Sequence, residues 1–345
     1  MKIIIAPDSY KGCLSSREVA ASMGEALSEH ECTLLPLSDG GEGMLDTFLQ
    51  AMQGKRIPIL LHDPLMRWTE AAYGIAGDTA IIEIAQAVGL HLIEPGQRNP
   101  MKATSYGVGE IIRAAYRQGI RKFIVGLGGS GTSDCGIGML KALGESKNGE
   151  PKLWESIRKD CEFCLASDVT NPLCGTEGAA YVFAPQKGAD MEMVKMLDER
   201  ARRFAQACTR HFGTDHQYDC GAGAAGGLGY AFLQFFHATF HSGAELLLEM
   251  VHFDELLKEA DLVITGEGHS DRQTLMGKLP GIVLQHAQRH HIPTWLISGA
   301  VSDKELLQQA GFNRILPVTP ASQPLEEAML PDVAKRNIKK ALREA

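Results

Sequence analysis

The sequence predicts an α/β protein in which a domain with an open parallel sheet carries a second α/β domain as an insertion. Two observations support the sheet: short apolar runs alternate with helical patterns at the start of the chain, and they do so again at its end. Between these segments the pattern changes, and 345 residues exceed what one hydrophobic core usually organises. We therefore expect two domains, the first interrupted by the second.

The first part of the chain gives the clearest alternation. Its predicted elements are a strand at 2–6, a helix at 15–28, a strand at 32–37, a helix at 41–53 and a strand near 56–61. Ser15 and Ser16 precede Glu18 and an alanine-rich run, a pattern typical of a capped helix start. Strands separated by helices of this length form βαβ units, so the sheet is expected to be parallel.

The end of the chain repeats this pattern, and the middle departs from it. Apolar strands at 260–266, 292–299 and 313–318 place both termini in one sheet. The middle has the strand-like runs WTEAAYGIAG and TAIIEIA, glycine-rich loops and a long helix at about 190–211. The predicted domains are a discontinuous α/β domain of residues 1–77 and 261–345, and an inserted α/β domain of residues 78–260.

The composition is typical of a globular enzyme and limits the classes of partner. Hydrophobic residues make up 44% and charged residues 22% of the chain, the formal net charge is −8 and the pI is near 5.9. Proteins that bind nucleic acid normally carry a basic face, so this charge argues against such a partner. No apolar run approaches the length of a membrane span, and a strand follows Met1 where a leader sequence would lie. We expect a cytoplasmic protein with reduced cysteines.

Three acidic, glycine-rich turns point to phosphoryl chemistry. They are SDGGEG at 38–43, GLGGSGTSD at 126–134 and TGEGHSD at 265–271, and each follows an apolar run that is predicted to be a strand. Glycines let backbone amides approach phosphate oxygens, and neighbouring carboxylates can hold Mg²⁺. One such turn carries little weight, but three predict a site where several loops converge.

The familiar nucleotide motifs do not account for these turns. A Walker A motif is missing, because the Gly-Lys pairs at 54–55 and 277–278 are followed by arginine and leucine, and neither HRD nor DFG occurs. A GxGxxG pattern does occur at Gly126, Gly128 and Gly131, after an apolar strand. A nicotinamide-binding site is therefore one alternative reading of that loop.

Further loops carry candidate ligand groups. DVTNPLCG at 168–175 and APQKGA at 184–189 supply an acid, an Asn-Pro turn and a lysine, and open α/β sheets bind ligands after such strands. The run GAGAAGGLG at 221–229 permits close backbone approach. The sequence leaves open whether it approaches a phosphate or a neighbouring helix.

Taken in order, eight segments resemble the bacterial type I glycerate kinases. They are APDSYKGCLS (6–15), SDGGEG (38–43), RNPMKATSYGVGEII (98–112), GLGGSGTSDCGIGML (126–140), DVTNPLCG (168–175), FAPQKGA (183–189), GAGAAGGLG (221–229) and ITGEGHSDRQTLMGKLP (264–280). The resemblance runs from residue 1 to beyond residue 300 in the family order. It implies ATP-dependent phosphorylation of D-glycerate, usually to 2-phosphoglycerate, on a Rossmann-like domain that carries a second α/β domain as an insertion. From the acidic, glycine-rich turns we further expect Mg²⁺ and ATP to bind in a cleft between the two domains.

The resembling segments supply the expected site residues. The catalytic candidates are Asp8, as acceptor of the hydroxyl proton, with Lys11, Asp134 and Lys187. The candidates for substrate binding are Arg98, Ser105, Asn171 and His269. The candidates for binding the phosphates of ATP are Gly128, Gly129, Ser130, Gly223, Gly226 and Gly227. The Mg²⁺ candidates are Asp39, Asp134, Glu267 and Asp271.

The sequence departs from the family pattern at four positions. Gly131 replaces alanine, Ser133 asparagine, Cys135 glycine and His269 arginine. An imidazole is mostly uncharged at neutral pH, so His269 would stabilise a phosphate less than arginine does. Three alternatives to a glycerate kinase stay open: a kinase of another small hydroxy acid, a nicotinamide-dependent oxidoreductase, and a non-catalytic ligand sensor on the same fold.

Overall fold

The structure, a computed structural model, describes residues 1–37, 43–144 and 152–344. The strands are β1 (Lys2–Ile5), β2 (Glu31–Leu34), β3 (Lys55–His62), β4 (Trp68–Ala76), β5 (Thr79–Glu83), β6 (Lys122–Gly126), β7 (Glu162–Ala166), β8 (Thr239–His241), β9 (Leu262–Thr265), β10 (His269–Ser270), β11 (Thr294–Ser298), β12 (Ala300–Val301) and β13 (Arg314–Pro317). The helices are α1 (Ser16–Ala26), α2 (Met44–Ala51), α3 (Ala85–Val88), α4 (Tyr106–Arg117), α5 (Ile137–Gly144), α6 (Leu153–Asp160), α7 (Ala179–Phe183), α8 (Met191–Phe212), α9 (Ala224–Phe236), α10 (Gly243–Met250), α11 (Phe253–Leu257), α12 (Leu279–Arg289), α13 (Lys304–Ala310), α14 (Leu325–Ala328) and α15 (Pro331–Arg343).

The chain divides into two compact units. The terminal unit consists of Met1–Asp39 and Ala244–Ala345, and the middle unit of Gly40–Gly243. The sequence pattern predicted domain boundaries near residues 78 and 260. In the structure both crossings between the units come earlier in the chain. The first crossing is early because β3 and β4 pair with β5 in the sheet of the middle unit.

The terminal unit is built on a five-stranded sheet in the order β13-β11-β9-β1-β2, with parallel neighbours throughout. Numbered within the unit, this is the doubly wound order 2-1-3-4-5. The predicted parallel α/β fold is confirmed. The strand order reverses between β1 and β9, where Ile3 pairs with Leu262 on one side and Cys32 on the other. In such sheets ligands bind outside the carboxyl ends of the strands at the reversal point.

The middle unit has a six-stranded mixed sheet in the order β3-β4-β5-β6-β7-β8. Strands β3 to β5 are antiparallel, whereas β5 to β8 are parallel. The strand predicted near 56–61 exists as β3. The prediction that this strand belongs to the parallel sheet of the N-terminal segment was wrong. A tight turn from Asp63 to Arg67 joins β3 to β4, and a connection this short forces antiparallel pairing.

Helix ends follow their local sequence signals. The Ser15 side chain accepts the Glu18 amide while the Glu18 carboxylate accepts the Ser15 amide, which is a capping box at the start of α1. The side chain of Asp190 caps α8 by accepting the Met193 amide, and Gly213 ends α8 in a left-handed conformation with φ of 77°. The long helix predicted at about 190–211 is confirmed.

Each unit has its own hydrophobic core. In the terminal unit, Ile5 on β1, Val19 on α1 and Ile338 on α15 are fully buried together. In the middle unit, Val108 on α4 and Phe232 on α9 belong to one extensive core cluster. Fully burying a side chain of this size stabilises the fold by about 1.5–3 kcal/mol. None of the helices in the described ranges is both long and apolar enough to cross a membrane.

Candidate functional site

In the terminal unit, the loops after β1 and β9 join at the carboxyl end of the sheet. The Asp8 amide donates a 2.8 Å hydrogen bond to Gly266 O. A side chain at Gly266 would not fit, because its Cβ would lie 1.7 Å from Ile297 O. A Cβ on Gly268 would lie 3.4 Å from the Lys11 amide nitrogen, an ordinary van der Waals contact, so the two loops are neighbours here without requiring a glycine. The structure thus brings the loop carrying Asp8 and Lys11 against the loop that flanks Glu267.

Glu267 is the centre of a buried polar network in this unit. The residue is 8% exposed, and its Oε1 accepts hydrogen bonds from Thr274 Oγ1 at 2.7 Å and Ser270 Oγ at 3.1 Å. The Ser298 hydroxyl lies 2.7 Å from Ser270 Oγ and extends the network to the end of β11. Glu267 Oε2 faces Lys278 Nζ at 3.4 Å. Both oxygens therefore have donors, and Oε2 has the weaker one.

The other predicted residues of the terminal unit are more accessible. Asp8 is half-buried and its Oδ1 accepts the amide of the next residue at 2.6 Å, while Lys11 is exposed. The exposed His269 ring places Nε2 3.1 Å from Ser302 Oγ. Asp271 caps the 3₁₀ turn at 272–275 through its side chain. Asp39 lies outside the described residues.

In the middle unit, the candidate site centres on residues 127–135, which follow β6 and are called the β6 turn here. Two of its main-chain hydrogen bonds, Gly131 N–H to Val88 O at 2.7 Å and Leu90 N–H to Gly129 O at 2.9 Å, fix it against the segment after α3. A Cβ on Gly131 would come within 3.1 Å of Leu90 Cα, so the alanine of the family pattern would require a shift here. Cys135 is left-handed, with φ of 55°, a conformation that the family's glycine adopts without strain.

Asp134 accepts hydrogen bonds from several surrounding groups. Its Oδ2 accepts the Ser105 amide at 2.8 Å, the Ser105 hydroxyl at 3.0 Å, the Gly138 amide at 3.0 Å and Thr104 Oγ1 at 3.4 Å. Its Oδ1 accepts the Gly136 amide at 3.1 Å. The carboxylate is 8% exposed and joins the starts of α4 and α5 to the β6 turn. The predicted substrate residue Ser105 is fully buried at this junction.

The glycine run at 221–229 packs against the β6 turn. Gly226 and Gly227 are left-handed, and a Cβ on Gly226 would lie 2.0 Å from Thr132 O. The Cys135 amide donates to Gly226 O at 3.0 Å. Gly223 packs in the same way on the 168–175 loop, where its amide donates to Asn171 O at 2.9 Å. Close backbone packing therefore accounts for these glycines, and their contact with phosphate stays a prediction.

Lys187 is buried beside the same turn, with 2% of its surface exposed. Its ammonium group donates to Thr132 O at 2.7 Å and to Ser130 Oγ at 2.8 Å. Burial lowers the pKa of Lys187 to about 7, and the nearby Asp134 carboxylate partly offsets this effect. The Lys187 amine therefore holds its proton less firmly than an exposed lysine does.

This low pKa predicts a pH-dependent contribution to stability. The folded protein holds the Lys187 proton less tightly than the unfolded chain, whose pKa is near 10.5, so the unfolded state binds more protons between these values. The free energy of unfolding should therefore rise with pH above about 7, by at most about 1.4 kcal/mol per pH unit. Urea unfolding of wild type and Lys187→Met at pH 7.0 to 8.5 measures the difference in slope. Parallel slopes would contradict the prediction.

Arg98 adjoins Lys187 through the backbone. A Cβ on Gly188 would lie 2.8 Å from Arg98 O, and Arg98 Nε is buried without a hydrogen-bond partner in the part of the chain that the structure describes. The Asn171 amide group donates to Glu177 O at 2.8 Å. The structure thus gathers the predicted residues of the middle unit around the β6 turn, with Asn171 joined to it through the glycine run.

One residue at the β6 turn was missed by the sequence analysis. Arg200 on α8 donates from Nη2 to Ser133 O at 2.7 Å, and its Nε is buried without a partner among the described residues. The hydroxyls of Thr132 and Ser133 are likewise buried and unpaired in the described structure. Arg200 lies in the charged helical run DERARR, and nothing in that pattern separates it from surface arginines.

No group of three or more His, Cys, Asp or Glu side chains in residues 1–37, 43–144 and 152–344 is arranged to hold a metal ion. Mg²⁺ in phosphoryl-transfer sites is commonly bound by one or two carboxylates together with substrate phosphates and water. A single carboxylate such as Glu267, whose Oε2 has only the 3.4 Å contact with Lys278 among the described residues, fits that mode of binding.

The chain is similar to known proteins over nearly its whole length. Residues 3–345 match the model of the glycerate kinase family. The sequence is 39% identical to a glycerate kinase of Haemophilus influenzae, over 92% of this chain and 91% of that protein. It is 37% identical to the glycerate 2-kinase of Escherichia coli K12, over 95% of this chain and 93% of that protein. The crystal structure of a candidate glycerate kinase 2 from Salmonella typhimurium LT2 matches with a TM-score of 0.83 and 38% identity, covering 100% of this chain and 96% of that one.

Proposed function

Since this chain belongs to the glycerate kinase family and is therefore a kinase, we propose that it transfers the γ-phosphoryl group of ATP to a hydroxyl of D-glycerate. The family resemblance expected from the sequence is confirmed by the match across residues 3–345. The proposed product is 2-phosphoglycerate. The observation that carries this choice is the similarity to the Escherichia coli protein named glycerate 2-kinase, at 37% identity over 95% of the chain.

Phosphoryl transfer asks a protein mainly to align the reactants and to surround the phosphoryl oxygens with positive charge. In the terminal unit, Asp8 is proposed to accept the proton of the attacking hydroxyl, and the exposed Lys11 to contact an anionic group of a substrate. Their position supports these roles, because they follow β1 at the reversal point of the sheet. His269 on the neighbouring loop is proposed to contact glycerate.

The middle unit is proposed to supply phosphate-binding amides and cations. Gly128, Gly129 and Ser130 lie at the carboxyl end of β6, where amides can approach an anion. The Lys187 ammonium, held beside Ser130, adds positive charge to that place. Arg98, whose segment adjoins Lys187, is proposed to bind the glycerate carboxylate, and Ser105 and Asn171 are proposed as further substrate residues. Gly223, Gly226 and Gly227 are proposed to complete the nucleotide site.

Mg²⁺ would neutralise charge on the phosphates of ATP when it is bound. Glu267 is the favoured ligand among the described carboxylates, with Asp271 as a second, because each has an oxygen with spare capacity. Asp134 was also predicted as a ligand, but its oxygens already accept five hydrogen bonds. Asp39 is the remaining candidate.

An assay of ADP release across a panel of hydroxy acids tests the proposal. Purified protein with ATP and Mg²⁺ should turn over D-glycerate faster than D-lactate by about 100-fold or more, because lactate lacks one hydroxyl that the site would bind. Adding enolase without phosphoglycerate mutase reveals the product, since enolase consumes 2-phosphoglycerate and not the 3-isomer. EDTA should abolish turnover, and excess Mg²⁺ should restore it.

The same assay separates the alternatives. Faster turnover of another hydroxy acid would replace glycerate as the acceptor while keeping the kinase chemistry. ATP binding in calorimetry without any phosphorylated product would indicate a ligand sensor. Binding of NAD but not ATP would favour a nicotinamide-dependent enzyme that uses the GxGxxG pattern at 126–131.

A further inference from the structure

Arg200 makes contacts that set it apart from its neighbours on α8. Arg202 pairs with Asp198, and Arg203 with Glu199, in each case one turn earlier on the same helix. The Arg200 side chain instead extends away from α8 and donates hydrogen bonds to backbone carbonyls of other segments. Its Nη2 lies 2.7 Å from Ser133 O, and its Nη1 lies 3.5 Å from the carbonyl oxygen of residue 101.

Arg200 and Lys187 bind consecutive carbonyl groups of the β6 turn. Lys187 Nζ lies 2.7 Å from Thr132 O, and Arg200 Nη2 lies 2.7 Å from Ser133 O. In a trans peptide the N–H points opposite to the C=O. The two side chains therefore direct the Ser133 and Asp134 amides away from themselves. Two donors on successive peptide groups restrict how this turn can rotate.

The turn also carries polar groups that lack a protein partner. The Thr132 and Ser133 hydroxyls are buried and make no hydrogen bond within the described ranges. Buried hydroxyls are nearly always paired, so two unpaired ones on adjacent residues indicate a place that a ligand or water completes. Hydroxyl donors on peptide units whose orientation is fixed in this way are suited to an anionic oxygen.

The geometry points to Arg200 as a positioning residue that holds the β6 turn in the conformation needed for phosphoryl transfer. It acts through Ser133 O and does not itself touch the substrate in this assignment. The inference rests on the proposed function for the identity of the anion, which is a phosphoryl group of ATP. The positioning effect itself can be measured without any substrate.

Hydrogen exchange on the free protein tests the positioning directly. In Arg200→Ala, the Gly131 and Cys135 amides, which are hydrogen-bonded to Val88 O and Gly226 O, should exchange at least about 10-fold faster than in wild type. Arg203→Ala is the matched control, because it removes an exposed arginine from the same helix and should leave these amides unchanged. Equal exchange in wild type and Arg200→Ala would overturn the inference.

Kinetics then distinguish positioning from general damage to the fold. The kcat of Arg200→Ala should fall about 100-fold. Guanidinium ion, at concentrations that leave the fold intact, should restore at least about a tenth of the lost kcat. Arg203→Ala should show neither effect. A kcat within twofold of wild type, or a loss that guanidinium leaves unchanged in a folded variant, would contradict the assignment.

Two further outcomes keep the test decisive. If Arg200→Ala does not fold, Arg200→Lys is tested in its place. Lysine keeps the charge but lacks the planar guanidinium group that reaches two carbonyls, so its kcat should lie between those of wild type and the alanine variant. If wild-type protein does not phosphorylate glycerate, the proposed function fails, and the hydrogen-exchange comparison still decides whether Arg200 positions the turn.

Discussion

An Asp8→Asn enzyme is expected to lose about 100-fold to 10,000-fold in kcat, which is the range that a positioned general base contributes. An amide cannot accept the hydroxyl proton of glycerate. The substitution should leave the local backbone intact, because the Asp8 amide still donates to Gly266 O and an asparagine oxygen can still accept the Ser9 amide. The KM for glycerate should change little if Asp8 acts in the chemical step.

Asp261→Asn is the control for this prediction. Asp261 precedes β9, at the opposite end of the same strand from the loop that contacts Asp8, and its Oδ2 accepts the Lys2 amide at an exposed site. Its kcat should stay within about twofold of wild type. Steady-state rates with saturating ATP give the comparison. Wild-type turnover by Asp8→Asn would remove Asp8 from the chemistry and leave the proton acceptor to be found elsewhere.

The second large effect is expected on stability. Asp134→Asn should lower the free energy of unfolding by about 3 kcal/mol, because hydrogen bonds to a buried charge contribute about 1.5–3 kcal/mol each. An asparagine offers one acceptor oxygen, so its NH₂ group would face either the Gly136 amide, which now donates to Oδ1, or the Ser105 and Gly138 amides, which now donate to Oδ2. Urea denaturation of both proteins, monitored by circular dichroism, measures the change.

Asp190→Asn provides the matched comparison. Asp190 caps α8 through a single amide at 2.8 Å and is exposed, and asparagine is about as good a cap as aspartate. Its unfolding midpoint should shift only slightly. If Asp134→Asn shifts the midpoint no more than Asp190→Asn does, the network around Asp134 contributes little to stability. Loss of activity in a stable Asp134→Asn protein would instead favour a direct role with the metal.

The fold was largely predictable because its signals are local. The strands β1, β9, β11 and β13 are short apolar runs between helical segments, and the ends of α1 and α8 are fixed by capping residues a few positions away. The β3 strand shows the limit of this reasoning. Its sequence indicates a strand, but its pairing partner depends on the hairpin at 63–67. That hairpin pairs β3 with β4 and places it in the sheet of the middle unit, not in the sheet of the terminal unit.

The candidate site was predictable as a set of loops. The turns after β6 and β9 were named from their glycines and acids, which mark ligand-binding turns in α/β proteins, and the loop after β1 was named from the family resemblance. Their individual environments were not predictable. Asp134 was named as a metal ligand, yet it accepts five hydrogen bonds, and Lys187 was named as a catalytic residue, yet it is buried against Thr132 and Ser130.

The sequence by itself determined the α/β class, the family, and the loops that carry acids and glycines. The tertiary structure decided which sheet β3 joins, how deeply Lys187 is buried, and that Arg200 reaches Ser133, 67 residues away in the chain. The physical reason is the range of the interactions involved. Capping and hydrophobic periodicity act within a few residues, whereas burial and hydrogen bonds between distant segments exist only after the sheet and its helices have packed.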